Sequence, residues 1–167
     1  MLLGDSGRST RPEPRDLRQR PHSCHETAIN CGTQAVGAYP PGDLTGVSCI
    51  ADGPDAWLAQ AVLDHGGQLE VVVPAEEYRQ SLPDWHLRVY DDLLRRAADV
   101  HHTGMTASDS AAHMAGSEVL VGLVEVVLAV WDGKPSRGYG GTADVVAYAQ
   151  RTGVPVHVLW PEGATRD

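Results

Sequence analysis

From residue 44 onward, the hydrophobic and polar positions of the chain follow two alternating patterns. Short runs rich in β-branched residues, bounded by glycine, proline or aspartate, predict β-strands. Longer segments with apolar residues three and four positions apart predict helices between them. The predicted strands are residues 44–50, 68–73, 99–102, 123–131 and 154–160. The predicted helices are residues 54–65, 84–98, 108–120 and 141–152.

This alternation of strands and helices predicts an α/β fold. Strands that are connected through helices run parallel, and a parallel sheet is covered on both faces. The continuous apolar runs at residues 71–73 and 126–130 fit strands that are buried on both sides. With right-handed crossovers, we expect a Rossmann-like three-layer α/β/α sandwich with a mainly parallel sheet.

The first 40 residues depart from this pattern. Residues 1–22 contain five arginines and three prolines, with neither strand alternation nor a helical stripe. That composition is typical of a disordered or poorly packed segment. Residues 25–39 are compatible with a helix, although Gly32 and Gly37 lower its intrinsic stability. We therefore divide the chain into an atypical N-terminal segment, residues 1–40, and an α/β domain, residues 41–167.

Composition and charge narrow the classes of function. The chain has 167 residues, of which 42% are hydrophobic, and its formal net charge is −9. Nucleic acid is not an expected partner, because an acidic domain lacks the basic surface that such binding requires. Residues 119–131 form the longest apolar stretch, which is too short to cross a bilayer, and no signal peptide is seen. We expect a cytoplasmic protein without a membrane partner, with its three cysteines reduced.

The loop after the strand at residues 44–50 is the first candidate ligand site, because open parallel sheets bind ligands beyond the carboxyl ends of their strands. Its candidate ligand-binding residues are Ser48, Gly53 and Asp55. Gly53 permits a tight turn, and the start of the helix that follows favours an anion. Asp55 either holds ribose hydroxyls or simply complements the dipole of that helix.

The loop after the strand at residues 123–131 is rich in glycine. Gly138, Gly140 and Gly141 carry no Cβ atom, so their N–H groups, together with the Thr142 hydroxyl, are able to surround a phosphate. The alternative is a surface loop in which Thr142 is an ordinary helix N-cap. The loop contains neither of the common phosphate-binding motifs, GxxxxGK[ST] and GxGxxG.

The histidines do not indicate a metal site. His101, His102 and His113 lack the spacing of metal-ligating motifs, and no HExxH or CxxC accompanies them. We therefore expect no metal, and no cofactor is indicated beyond a nucleotide ligand.

Two segments resemble the SLOG superfamily of Rossmann-like nucleotide-binding proteins, which includes the DprA and LOG proteins. Residues 48–55 (SCIADGPD), followed by a helix, the Gly66–Gly67 pair and a strand, are similar to the DprA-type pattern S-G-x-A-x-G-x-D, helix, G-G, strand. Residues 140–142 are similar to the Gly-Gly-Thr phosphate loop of the superfamily. The resemblance covers residues 41–167. It implies a phosphate on residues 140–142, base or ribose contacts from Ser48, Gly53 and Asp55, and Asp132 nearby.

The chain departs from the superfamily pattern at two places. LOG enzymes carry P-G-G-x-G-T-x-x-E, whose glutamate is catalytic, whereas Val145 stands three residues after Thr142 here and the nearest carboxylate is Asp144. Small members also open with a strand and a glycine-rich turn. No apolar strand precedes the sequence GDSGR at residues 4–8, although Gly7 and Arg8 are compatible with a remnant of that turn, so we expect the N-terminus to be atypical. If the first strand is missing, a central position of the sheet is empty.

Two hypotheses of function follow. The first is a binding module that holds a nucleotide, or a molecule derived from one, as a sensor or carrier. The second is an enzyme that hydrolyses the N-glycosidic bond of nucleoside monophosphates, with Asp144 or Asp132 as the catalytic carboxylate that stabilises positive charge on the ribose. Homo-oligomers are common in the superfamily, and the apolar residues 114–123 are the expected interface.

Overall fold

The computed structural model describes residues 2–5 and 32–160 of the chain. The described residues form one sheet of six strands. In chain order these are β1 (Leu2–Asp5), β2 (Leu44–Ser48), β3 (Gln68–Val73), β4 (Asp99–His102), β5 (Val126–Val130) and β6 (Val156–Leu159). Their order across the sheet is β4-β3-β2-β1-β5-β6.

Five of these six strands run in the same direction. Three neighbouring pairs are parallel, namely β2 with β3, β3 with β4, and β5 with β6. Strands β2 and β5 share a direction because both are antiparallel to β1, which lies between them. The prediction of an α/β fold with a mainly parallel sheet is therefore confirmed.

Strand β1 occupies the central position of the sheet that a missing first strand would have left empty. Leu2 pairs with Val47 of β2 on one side and with Val127 of β5 on the other. Four residues are enough here because the neighbouring strands present unpaired N–H and C=O groups that β1 satisfies. The rest of the predicted disordered arm, residues 6–22, lies outside the described residues.

Beyond β2, five α-helices connect the described strands: α1 (Pro54–Asp64), α2 (Tyr78–Ser81), α3 (Asp84–Arg96), α4 (Ser110–Gly122) and α5 (Thr142–Thr152). Four of them match the predicted helices to within two residues at each end. The short helix α2 was not predicted. Helix α1 packs against α3, and α4 packs against α5.

The core lies between the sheet and these helices. Val71 and Val72 are consecutive in β3 and both are fully buried. Since consecutive strand residues point to opposite faces, both faces of β3 are covered. Residues 32–36 are helical, and Val36 is buried in the same core. Residues 37–39 of the predicted 25–39 helix are not helical, and residues 25–31 lie outside the described residues.

The stretch predicted as an oligomer interface forms helix α4 and contributes mainly to the core of the domain. Met114, Leu120 and Val121 are buried, whereas Val119 and Leu123 are exposed. A homo-oligomer remains a prediction. Within the described residues, none of the helices has both the length and the apolar character that crossing a membrane requires.

Candidate functional site

The loop between β2 and α1 (residues 49–53) has an unusual backbone that buried polar groups hold in place. Ile50 has a φ of +46°, which is the left-handed region that β-branched residues rarely adopt. The Ile50 N–H donates to the Ser48 Oγ over 2.9 Å. The Nε2 of His86, a buried histidine of α3, lies 2.9 Å from the Ile50 carbonyl and must therefore donate to it. Ser48 and His86 thus fix this loop.

Gly53 completes the turn into α1. Its φ is +87°, and a Cβ atom there would meet no neighbour, so the backbone conformation rather than space favours glycine. Pro54 occupies the first turn of α1 and Asp55 follows it. The side-chain hydroxyl of Ser48 also lies 3.4 Å from the Asp55 carbonyl, which ties the two ends of the loop together.

The loop between β5 and α5 (residues 131–141), here called the glycine loop, is also fixed by polar contacts. The indole N–H of Trp131 donates to the Lys134 carbonyl over 2.8 Å. The Asp132 Oδ1 accepts from the Lys134 N–H over 3.0 Å. The predicted catalytic candidate Asp132 therefore stabilises a turn, at which Gly133 has a φ of +78°.

Gly140 brings the glycine loop close to helix α4. Its φ is +84°, and a Cβ atom there would lie 2.8 Å from the Ser110 carbonyl oxygen. The Gly140 N–H donates to the Asp144 Oδ2 over 2.9 Å. Asp144, the other candidate catalytic carboxylate, thus holds the glycine loop against the first turn of α5. Gly138, by contrast, is exposed and a Cβ atom there would meet no neighbour.

Helix α5 begins with backbone donors that no described residue satisfies. The Gly141 carbonyl accepts from the N–H groups of Asp144 and Val145, which closes the first helical turn. The N–H groups of Gly141, Thr142 and Ala143 have no acceptor among the described residues. A helix start with unsatisfied N–H groups carries partial positive charge and binds anions.

Both loops open onto one cavity of about 450 Å³ at the carboxyl ends of β2, β3 and β5. Of the predicted ligand-binding residues, the cavity brings together Asp55, Gly140, Gly141 and Thr142. The remaining candidates are not among the residues that line it: Ser48, Gly53, Asp132, Gly138 and Asp144. The predicted roles of all nine residues in binding or catalysis remain predictions.

The charges around the cavity are uneven. Asp52 and Asp55 line it on the side of β2, and the start of α5 lines it on the side of β5. No lysine or arginine of residues 2–5 or 32–160 lines it. Lys134 and Arg137 of the glycine loop are exposed and lie outside the lining. A bound anion would therefore be held by backbone N–H groups and hydroxyls.

Tyr78 is a cavity residue that the sequence analysis missed. It lies in α2, is 5% exposed and lines the cavity. Burial is the main cause that raises the pKa of Tyr78 above its ordinary value, and the nearby Asp55 carboxylate adds to it, so the phenol stays neutral.

Two further side chains of the cavity were not predicted as ligand-binding residues. The Nε2 of His113 lies 3.0 Å from the Ser108 Oγ, which in turn lies 2.8 Å from the Ser81 Oγ. Burial and the nearby Asp55 carboxylate raise the pKa of the Cys49 thiol to about 12. Cys49 is therefore a neutral, unreactive thiol at physiological pH.

Comparison of this chain with protein-family models and with curated proteins gives no match.

Proposed function

We propose that this domain binds a nucleotide, or a small molecule derived from one, in the cavity between the β2–α1 loop and the glycine loop, and that it acts as a sensor or carrier. The main support for the proposal is that one cavity has hydrogen-bond donors with partial positive charge on one side and a carboxylate residue on the other. Unsatisfied N–H groups lie at the start of α5, and the Asp55 side chain lies on the β2 side.

The start of α5 is suited to the phosphate. The helix has 11 residues, and its aligned peptide dipoles place the equivalent of about half a positive charge at Gly141 and Thr142. The N–H groups of residues 141–143 and the Thr142 hydroxyl are donors that fit phosphate oxygens. Because no described lysine or arginine lines the cavity, these donors bind the phosphate without help from a basic side chain.

The remainder of the cavity is suited to the sugar and the base. A carboxylate such as that of Asp55 accepts hydrogen bonds from ribose hydroxyls. Apolar side chains, among them Leu58 and Leu82, form walls against which a flat base packs. The volume of about 450 Å³ lies within the range of roughly 300–1,000 Å³ that is common for small-molecule sites.

The proposal includes a Rossmann-like three-layer arrangement. In it the helix pair α1 and α3 covers one face of the sheet, and the pair α4 and α5 covers the other. The ligand then lies beyond the carboxyl ends of the strands, where open α/β sheets bind their ligands. The antiparallel β1 is a departure from the usual doubly wound pattern and lies in the centre of the sheet.

Thermal melting of the full chain with the 5′-mono- and diphosphates of the four ribonucleosides tests the proposal. A nucleotide at about 100 times its dissociation constant stabilises the protein by about 2.7 kcal/mol. Thr142→Glu places a carboxylate where the phosphate is expected, and we expect it to abolish this stabilisation. A carboxylate in the first turn favours the helix itself, so the variant should remain folded.

The matched control is Gln150→Glu. It makes the same change in net charge on the same helix, at an exposed position in its last turn. We expect this variant to keep the ligand-induced stabilisation. If no nucleotide stabilises the wild-type chain, or if Thr142→Glu keeps the full effect, the proposal is wrong.

A further inference from the structure

We propose that Ser136 is a further phosphate-binding residue of this site. Its hydroxyl donates a hydrogen bond to a phosphate oxygen that the N–H groups at the start of α5 also bind. Ser136 belongs to the glycine loop and precedes Gly141 in the chain. This inference rests on the proposed function, because it adds a side-chain donor to the same phosphate.

The hydroxyl of Ser136 is a buried polar group without a hydrogen-bond partner. Its Oγ atom is shielded from solvent, and no described residue donates to it or accepts from it. A buried hydroxyl that makes no hydrogen bond costs free energy, and most buried polar side-chain atoms in proteins are paired. A ligand atom that accepts from this hydroxyl removes that cost on binding.

Ser136 lies beside the first residues of α5. A Cβ atom on Gly141 would lie 2.8 Å from the Ser136 Oγ. The φ of Gly141 is −81°, which any residue adopts, so space rather than backbone conformation favours glycine here. Gly141 lines the cavity, whereas Ser136 does not. The missing Cβ therefore keeps open the space through which the Ser136 hydroxyl reaches a phosphate at the start of α5.

The start of α5 has no side-chain cap. A capping side chain at Gly141 would accept hydrogen bonds from the first N–H groups of the helix, but glycine has none and no other side chain replaces it. The Ser136 hydroxyl does not accept from these N–H groups either. The hydroxyl and the N–H groups are thus neighbouring donors without a bond between them. A phosphate oxygen accepts from both, and bonds to such a charged acceptor are stronger than neutral ones.

The glycine loop holds Ser136 in place before a ligand arrives. The turn at residues 131–134 precedes Ser136, and hydrogen bonds from Trp131 and to Asp132 fix it. The bond between the Gly140 N–H and Asp144 fixes the loop after Ser136. Because both ends of this segment are fixed, little conformational entropy is lost when the hydroxyl binds the phosphate.

The test uses Ser136→Ala, with Thr152→Val as its matched control. Each variant removes one hydroxyl and leaves the net charge unchanged. The Thr152 hydroxyl lies at the far end of α5 and already donates to the Tyr148 carbonyl over 3.0 Å. The probes are the nucleotide that stabilises the wild-type chain most and the same nucleoside without its phosphate. Calorimetric titration measures affinity, and melting curves of the free proteins measure stability.

We expect Ser136→Ala to bind the nucleotide about tenfold more weakly than the wild-type chain, because a hydrogen bond to a charged oxygen is lost. Its affinity for the nucleoside should be unchanged. The melting temperature of the free variant should not fall, since the lost hydroxyl has no partner there. Thr152→Val should keep the wild-type affinity for the nucleotide.

The inference is overturned if Ser136→Ala binds the nucleotide as tightly as the wild-type chain, or if the nucleotide and the nucleoside lose affinity equally. Gly141→Ala is a second variant, whose Cβ displaces the Ser136 hydroxyl while every N–H group of the helix start is kept. We expect it to weaken nucleotide binding as well, and an unchanged affinity also overturns the inference.

The failure of this inference can be told from the failure of the proposed function. If the wild-type chain binds none of the nucleotides, the proposed function fails and the inference fails with it. If the wild-type chain and Ser136→Ala bind the nucleotide equally well, only the inference fails.

Discussion

The N–H of Gly140 and the carboxylate of Asp144 are joined by a hydrogen bond of 2.9 Å across the junction between the glycine loop and helix α5. This contact sets the entry of the chain into the helix whose first N–H groups we assign to the phosphate. Because the Gly140 N–H already donates to the Asp144 carboxylate, we do not assign it to the ligand. In the proposed site Gly140 therefore shapes the loop, and residues 141–143 supply the donors.

Asp144→Ala removes the acceptor of the Gly140 N–H. We expect a loss of roughly 0.5–2 kcal/mol in the free energy of unfolding, comparable to the loss of a helix cap. We also expect weaker nucleotide binding, because the loop loses its anchor. Asp144→Asn is the control, since its amide oxygen keeps an acceptor in the same place and should retain most of the stability. Chemical denaturation of the three proteins measures the difference.

The same variants test the enzymatic alternative. If Asp144 were a catalytic carboxylate, the wild-type chain would release free base from a nucleoside monophosphate and the well-folded Asp144→Asn would not. The binding module that we propose releases no base in any of the three proteins. Chromatography of the incubated nucleotides distinguishes the two functions.

His86→Leu tests the support of the strained β2–α1 loop. His86 is 1% exposed, and its ring donates to the Ile50 carbonyl. Leucine leaves that buried carbonyl without a partner, so we expect a loss of about 1–3 kcal/mol in the free energy of unfolding. Val89→Ala on the same helix is the control, because Val89 is 44% exposed and its truncation should change stability by less than about 0.5 kcal/mol. Similar losses in both variants would contradict this account.

The buried thiol of Cys49 predicts how stability changes in alkaline solution. Its pKa rises from 9.0 to about 12 on folding, so the folded state keeps a proton that the unfolded chain releases. The stability from the neutral thiol is complete below pH 9 and is lost as the pH rises toward 12. Relative to Cys49→Ala, the wild-type chain should therefore lose up to about 1.4 kcal/mol per pH unit in this range.

Denaturation curves of wild type and Cys49→Ala between pH 8 and pH 11 measure this difference. Tyrosines that titrate in the same range are common to both proteins, so they cancel in the comparison. A constant difference between the two proteins across this range would show that Cys49 titrates normally in the folded state.

The pattern of hydrophobic and polar positions was sufficient to predict most of the strands and helices. Strand β3 was predicted with its exact ends, because the Gly66–Gly67 pair and Pro74 bound a short segment that is rich in valine. Strand β1 could not be predicted, since its four residues are too few to show an alternating pattern. Its place in the sheet depends on the unpaired backbone N–H and C=O groups at the edges of β2 and β5, and these edges face each other only in the folded protein.

The candidate site was predicted only where it follows a strand. Asp55 and residues 140–142 were found because the loops after parallel strands meet at one edge of the sheet. The roles of His86 and Tyr78 depend on the tertiary structure instead. His86 acts on a carbonyl 36 residues away in the chain, and Tyr78 lies in a four-residue helix without a periodic pattern.

The central claim is that a nucleotide phosphate binds the N–H groups at the start of α5. Titration of the ¹⁵N-labelled chain with a nucleoside 5′-monophosphate, followed by amide NMR, tests it most directly. We predict that the amide signals of Gly141, Thr142 and Ala143 shift strongly in a saturable manner, and that the Gly140 amide, already bonded to Asp144, shifts less. Saturable shifts confined to residues outside the cavity, or no shifts at residues 141–143, would contradict the account.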